Sequence, residues 1–230
     1  MSPEISTVDG NSPNRLDART ALTEPATPGE WSSCTISDLC IEDRIIVEPN
    51  SEVAGKLIYL SLEHVESVTG RILREPSEPI EDVGRSITFQ FDSRHVLYGK
   101  LRPYLNKVAT PEFAGRCTTE MIPLLPRPGV SRAFLAWLLR RPQTVKAAMR
   151  EKTGARMPRA NMKHVLSLSV SIPNSIEEQE RIAARMAERL GWISEAKKAC
   201  YEQIELLDVY AQKILDSFPV PTNSTGNKKD

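Results

Sequence analysis

The stretch whose reading decides the architecture is SIEEQERIAARMAERLGWISEAKKACYEQIELLDVYAQKILDSF, Ser175 to Phe218. No proline falls inside it and Gly191 is its only glycine. Ser175 followed by Glu178 has the spacing of a capping box, in which the serine caps the helix start and the glutamate reaches back to it. Two sets of positions then recur every seven residues. One is Met186, Ile193, Cys200, Leu207 and Ile214; the other is Ala183, Leu190, Lys197, Ile204, Ala211 and Phe218. Only Lys197 is polar. Apolar residues alternating by three and four over this length predict a coiled-coil seam. At about 1.5 Å per residue the helix spans roughly 60 Å. No other segment could form a helix of that length, so the seam predicts a partner from outside: a second copy or another protein. Met186, Leu190, Ile193, Ile204, Leu207, Ile214 and Phe218 are its expected interface residues.

Upstream the signals are mixed. Leu57-Ile-Tyr-Leu60, Ser86-Ile-Thr-Phe-Gln-Phe91, His95-Val-Leu-Tyr98 and Thr119-Glu-Met-Ile-Pro-Leu-Leu125 are short β-branched or alternating runs punctuated by Gly, Pro or Asp, and read as strands. Ser131 is placed to cap a helix over Ala133–Leu139, with Phe134, Trp137 and Leu138 on its core face. Pro142 is placed to open a second helix, to about Arg150, because proline is tolerated in the first turn. A loop at Thr153–Pro158, a short helix near Asn161–Leu166 and a closing strand at Ser169–Ile172 complete an α+β domain. The expected division is a disordered tail over 1–28, the α+β domain over 29–173, a long seam-bearing helix over 174–218, and a second disordered tail over 219–230. Both tails are poor in large apolar residues, and the first carries Pro3, Pro13, Pro25 and Pro28.

A net charge of zero hides a strong asymmetry. Residues 1–93 hold 7 Lys and Arg against 17 Asp and Glu, residues 94–163 hold 15 against 3, and residues 164–230 hold 8 against 10. The middle block, net +12, has the charge of a surface that meets phosphates. A basic face balanced by acidic neighbours in the fold is the competing reading.

Other classes lack support. No apolar run reaches the length of a membrane span, and Met1-Ser-Pro-Glu-Ile is not the start of a secretory signal. Cys34, Cys40, Cys117 and Cys200 form no CxxC pair and His64, His95 and His164 no HxxxH, so neither a metal site nor a disulfide framework is expected. The expected compartment is the cytoplasm. No phosphate-loop, dinucleotide or nucleophile-elbow motif is present. The ExK spacing of Glu195 and Lys197 falls mid-helix and reads as ordinary helix surface. The weight moves from catalysis to binding.

Three segments carry groups suited to DNA. In Tyr98-Gly-Lys-Leu-Arg-Pro-Tyr-Leu-Asn-Lys107, Gly99 and Pro103 predict a turn that presents Lys100, Arg102, Tyr104, Asn106 and Lys107. Arg can fork onto guanine and Asn onto adenine, while Lys and Tyr more often hold phosphates. A basic hairpin with Tyr98 and Leu101 in the core is the alternative. In Lys152–Lys163 the candidates are Arg156, Arg159 and Asn161, with Gly154 allowing close backbone approach and Met157 expected to pack inward; alternatively Arg159 and Asn161 simply begin the next helix. Arg116, with Thr118 and Thr119, forms a third patch.

The order of these pieces resembles the specificity subunit of type I restriction–modification systems. The matching run begins near Tyr59-Leu60 and continues through Val96–Val108, Gly115-Arg-Cys-Thr-Thr-Glu120 and Phe134-Leu135. It ends with Thr153–Pro158, Ile172-Pro173 and Glu178-Gln-Glu-Arg-Ile182 at the head of the long helix. The resemblance implies a non-catalytic, double-stranded-DNA-binding subunit that reads one half of a bipartite target and docks a methyltransferase subunit and, where one exists, a restriction subunit. AdoMet, ATP and Mg²⁺ would belong to those partners, and this chain would hold no cofactor. Typical members carry two recognition domains and two long helices. One of each is found here, so the resemblance implies a half-length form that pairs as a homodimer. Two rivals remain: a coiled-coil oligomeric adaptor whose basic block binds an acidic protein, and a nuclease or methyltransferase in its own right.

Overall fold

The computed structural model describes residues 30–49, 51–73, 86–154 and 156–218. The tails expected over 1–28 and 219–230 lie outside these residues. Strand β1 (Trp31–Thr35) pairs antiparallel with β10 (Ser169–Pro173), Trp31 opposite Pro173 and Thr35 opposite Ser169. The two ends of the domain are thereby fastened together, immediately before the long helix.

Between them lie two four-stranded sheets. The first has the order β2 (Cys40–Glu42), β9 (Met121–Pro126), β6 (Val96–Gly99), β7 (Val108–Ala109), antiparallel throughout. The second has the order β3 (Ile46–Val47), β5 (Thr88–Phe91), β8 (Gly115–Thr118), β4 (Ile58–Leu60), with β4 and β8 parallel. Short helices α1 (Ile36–Leu39) and α2 (Glu52–Lys56) precede helices α3 (Arg132–Arg140) and α4 (Pro142–Arg150), and then α5 (Met162–Leu166). One core holds the domain: Phe91, Leu97, Ile122 and Leu124 from the sheets meet Phe134, Leu135 and Leu138 of α3. Each such side chain contributes about 1.5–3 kcal/mol on burial. This is the expected α+β class.

The expected cap is in place at α3, where Ser131 accepts from the Phe134 N–H, and Asn161, expected only near the start of α5, caps it by accepting from the Lys163 N–H. Pro142 opens α4. Phe134 and Leu138 are fully buried, and Trp137 is partly buried against the same core. Met157 departs from expectation. It is 43% exposed, because Thr153 and Arg159 bond to each other in both directions and close a tight loop. Pro158 takes the buried position in that loop, and its carbonyl accepts from the Arg102 N–H at 2.7 Å.

Helix α6 runs from Ile176 to Ser217, 42 residues. Ser175 caps it through the Glu178 N–H at 3.2 Å. The reciprocal half of the expected box does not form, since the Glu178 carboxylate takes the Arg181 guanidinium at 2.6 and 2.7 Å. A charged partner one turn along gives a stronger bond than a neutral N–H. Gln179, 1% exposed, fixes the direction in which the helix leaves. Its Oε1 accepts from the Ser131 N–H at 2.9 Å, and its Nε2 donates to the Pro173 and Gly129 carbonyls. One side chain thus joins the start of α6, the cap of α3 and the end of β10. Ala183 is buried, Met186 and Leu190 are partly covered, and from Glu195 onward every residue of α6 is exposed.

Candidate nucleic-acid interface

Tyr98 is buried at the end of β6, as the hairpin reading requires. At Gly99 the chain passes so close to its return strand that a Cβ would lie 2.9 Å from the Lys107 carbonyl oxygen and 2.7 Å from Leu62 Cδ2. A 3₁₀ turn then covers Pro103–Leu105, with Arg102 before it and Asn106 after it both at φ 50°. Left-handed backbone is disfavoured for residues with a Cβ, and here it is held by neighbours. Pro103 is buried, and the Arg102 N–H is tied to Pro158. The result lifts Arg102 and Tyr104 outward; Arg102 is exposed and Tyr104 is 52% exposed.

The two main sequence candidates become one surface. Lys100 accepts from the Ala160 N–H at 2.8 Å, Arg102 donates to Pro158, and Leu101 bridges Arg159. Segments more than fifty residues apart in the chain are stitched side by side. Between them Glu120 takes Arg159 at 2.7 Å and stands 3.9 Å from the Lys100 ammonium, and its carboxylate holds the Arg159 charge firmly on. Arg156 is exposed beside Gly154, whose φ of +80° is natural only to glycine. Asn161 is exposed while its Oδ1 caps α5.

The remaining candidates lie differently. Asn106 donates its amide to the Arg140 carbonyl at 2.9 Å. Lys107 donates to the Leu62 carbonyl at 2.7 Å, and burial moves its pKa down against the pull of Glu63. It borders a cleft of about 720 Å³ between α6 and the segment Glu63–Leu73, where Glu63, Glu66, Glu195, Glu202 and Glu205 also lie. Arg71, Lys197 and Lys198 line the same cleft, so with Lys107 four cations stand against five carboxylates and little net charge is left to draw a phosphate. Arg116 is 5% exposed in β8, its guanidinium carbon 5.4 Å from the centre of the Tyr59 ring. Its Nε and Nη1 are buried without a hydrogen-bond partner, and burial moves its pKa down.

The sequence reading passed over α4. This helix packs against the Pro103–Leu105 turn and against α5. Its outer side carries Gln143, Lys146 and Arg150, with Lys152 just beyond, all exposed. Among the described residues, none of the side chains of Arg102, Lys146, Arg150, Lys152 and Arg156 makes an ion pair.

The described residues thus form a mixed domain closed by a strand pair at the root of a long helix. The chain is similar to the type I restriction enzyme EcoDI specificity subunit of Escherichia coli, 26% identical over 201 residues, which cover 83% of this chain and 42% of that protein. Its fold matches the HsdS subunit from Thermoanaerobacter tengcongensis, with a TM-score of 0.59 and 20% identity over 87% of this chain and 52% of that one. It also matches a chain solved in work on complex assembly and conformational transition of the type I R-M system, with a TM-score of 0.65 and 21% identity over the same shares. This chain therefore spans about half the length of the relatives it matches. No family model matches it. Among the described residues no helix is long and apolar enough to cross a membrane, and no group of three His, Cys, Asp or Glu is placed to hold a metal.

Proposed function

We propose that this chain is a sequence-specific DNA-binding specificity subunit of a type I restriction–modification complex, reading one half of a bipartite target. The observation that carries the reading is the union of the 98–107 and 153–161 loops into one surface that presents Arg102, Tyr104 and Arg156. On this reading Arg102 reads a base edge, with Lys100, Arg159 and Asn161 around it. Asn106 and Lys107 shape the turn. The chain works in the cytoplasm without a cofactor or chemistry of its own; AdoMet, ATP and Mg²⁺ act in the methyltransferase and restriction subunits that it docks.

The same reading gives α6 two tasks. Its exposed stripe of Ile193, Ile204, Leu207, Ile214 and Phe218, continuous with Met186 and Leu190, pairs antiparallel with that of a second copy. Its remaining surface docks the methyltransferase. An antiparallel pair carries its two recognition domains at opposite ends, as two separated half-sites require, and its two-fold symmetry selects an inverted repeat.

Selection of duplexes from a random pool by the purified chain, followed by titration of the enriched duplex across salt, tests this. Log K is expected to fall with log salt at roughly −0.9 per contacted phosphate. Arg102→Ala is expected to lose about 1–3 kcal/mol of discrimination at one position. The same preparation should transfer no methyl group from AdoMet until the partner subunits are added. A chain that enriches no sequence, or that methylates DNA alone, overturns the proposal.

A further inference from the structure

We infer that helix α4 is a second DNA-contacting element, one that follows the phosphate backbone beside the loops that read the bases. The inference rests on the DNA-binding reading above. Three features of α4 carry it. Its spacing puts Gln143, Lys146 and Arg150, at i, i+3 and i+7, on one face, and all three are exposed, whereas Thr144 and Ala148 on the other face are buried. That exposed face is short of counter-charge: residues 141–163 hold seven Lys and Arg against the single acid Glu151, and among the described residues only Arg159 of the seven is ion-paired and Glu151 takes part in no ion pair. Elsewhere on the fold, Arg44, Lys56, Arg71, Arg94, Arg132 and Arg181 each have a carboxylate partner.

The third feature is position. Helix α4 packs directly on the Pro103–Leu105 turn, so its basic face lies close to the turn that presents Arg102 and Tyr104. A duplex seated on those two residues brings a polyanion to the same side. A helix that offers an amide and two long cations, with Lys152 at its end, suits the oxygens of a phosphate strand. Such contacts fix register and orientation without reading sequence. Charge decides the occupant, because a row of unpaired cations beside a base-reading turn matches a regular row of phosphates.

The test uses the full chain carrying Lys146→Gln and Arg150→Gln together, and each change alone. Affinity is measured for the duplex enriched by wild type and for a scrambled duplex, across a range of salt. The double variant is expected to weaken both by a similar factor, roughly 10- to 30-fold at physiological salt, and to reduce the salt slope by about 1.8. Each single variant should account for about half the slope change, and an unchanged thermal melt shows that the fold is intact. Wild type that binds DNA while the variants keep its affinity and slope overturns this inference and leaves the functional reading standing. Variants that lose preference for the enriched duplex but keep the slope show α4 reading bases, which also overturns it. Wild type that binds neither duplex, or that releases DNA to polyglutamate more readily than to competitor DNA, overturns both.

Discussion

Arg116 carries a charge that the fold leaves largely uncompensated. Its contact with the Tyr59 ring is worth about 0.5–2 kcal/mol. Each buried donor left without a partner costs about 1–3 kcal/mol, and Nε and Nη1 are two such donors. The balance therefore runs against the guanidinium. Arg116→Met keeps the length and the apolar stem and removes the charge. It is expected to leave the thermal midpoint unchanged or raise it, as with other buried charges replaced by apolar side chains. A lowered midpoint in a thermal melt would show that the guanidinium supports the fold. Beside it, Arg140 shows how a buried cation is satisfied in this domain. Its Nε and Nη2 both donate to the Val108 carbonyl, and burial pushes its pKa down to about 10.

The elements fall into those with local causes and those without. Helices α3, α4, α5 and α6 have their own start signals in Ser131, Pro142, Asn161 and Ser175, and their own periodicity, so the sequence states them outright. Strands β4, β5, β6 and β9 stand near the expected runs. Strands β2, β3 and β7 are two or three residues long. They exist because β9, β5 and β6 offer them an edge, which no local pattern encodes. The candidate site divides in the same way. Arg102 and Tyr104 were legible because Gly99 and Pro103 mark a turn. The inward bonds of Asn106 and Lys107 were not, because their acceptors, the Arg140 and Leu62 carbonyls, lie 34 and 45 residues away. Gln179 reads as one more polar helix residue until its three partners are known. For the long helix the heptads mark the proposed interface residues, and the exposure of Leu207 at 66% and Phe218 at 68% leaves them uncovered in a single chain. Ile204→Asp with Leu207→Asp is expected to abolish self-association in sedimentation while the recognition domain stays folded. A wild-type chain that sediments as a monomer at every concentration would remove the self-pair.

Across the whole molecule, folding stability is distributed unevenly. The domain has its own core, but every residue of α6 from Glu195 onward is exposed in one chain, and only the part up to Glu205 borders the cleft against Glu63–Leu73. A helix without tertiary contacts is marginal in water, and a seam partner is what makes it firm. In the proposed self-pair, therefore, the domain and the outer helix should melt differently. The domain transition is expected at a midpoint independent of protein concentration, and the helical transition at one that climbs with it. Circular dichroism at two or more concentrations checks this, and a single concentration-independent transition would count against coupling. On the proposed function, the exposed outer half of α6 would then act as a dose sensor. When the chain is scarce its arm would be frayed, and each domain would grip one half-site with the weak hold of one module. As the level rises, mass action would order two arms together, and the second grip would become an intramolecular event with a far higher effective concentration. Occupancy of a paired target would then rise with roughly the square of chain abundance, so that a surplus of a few-fold separates an idle cell from one whose sites are marked.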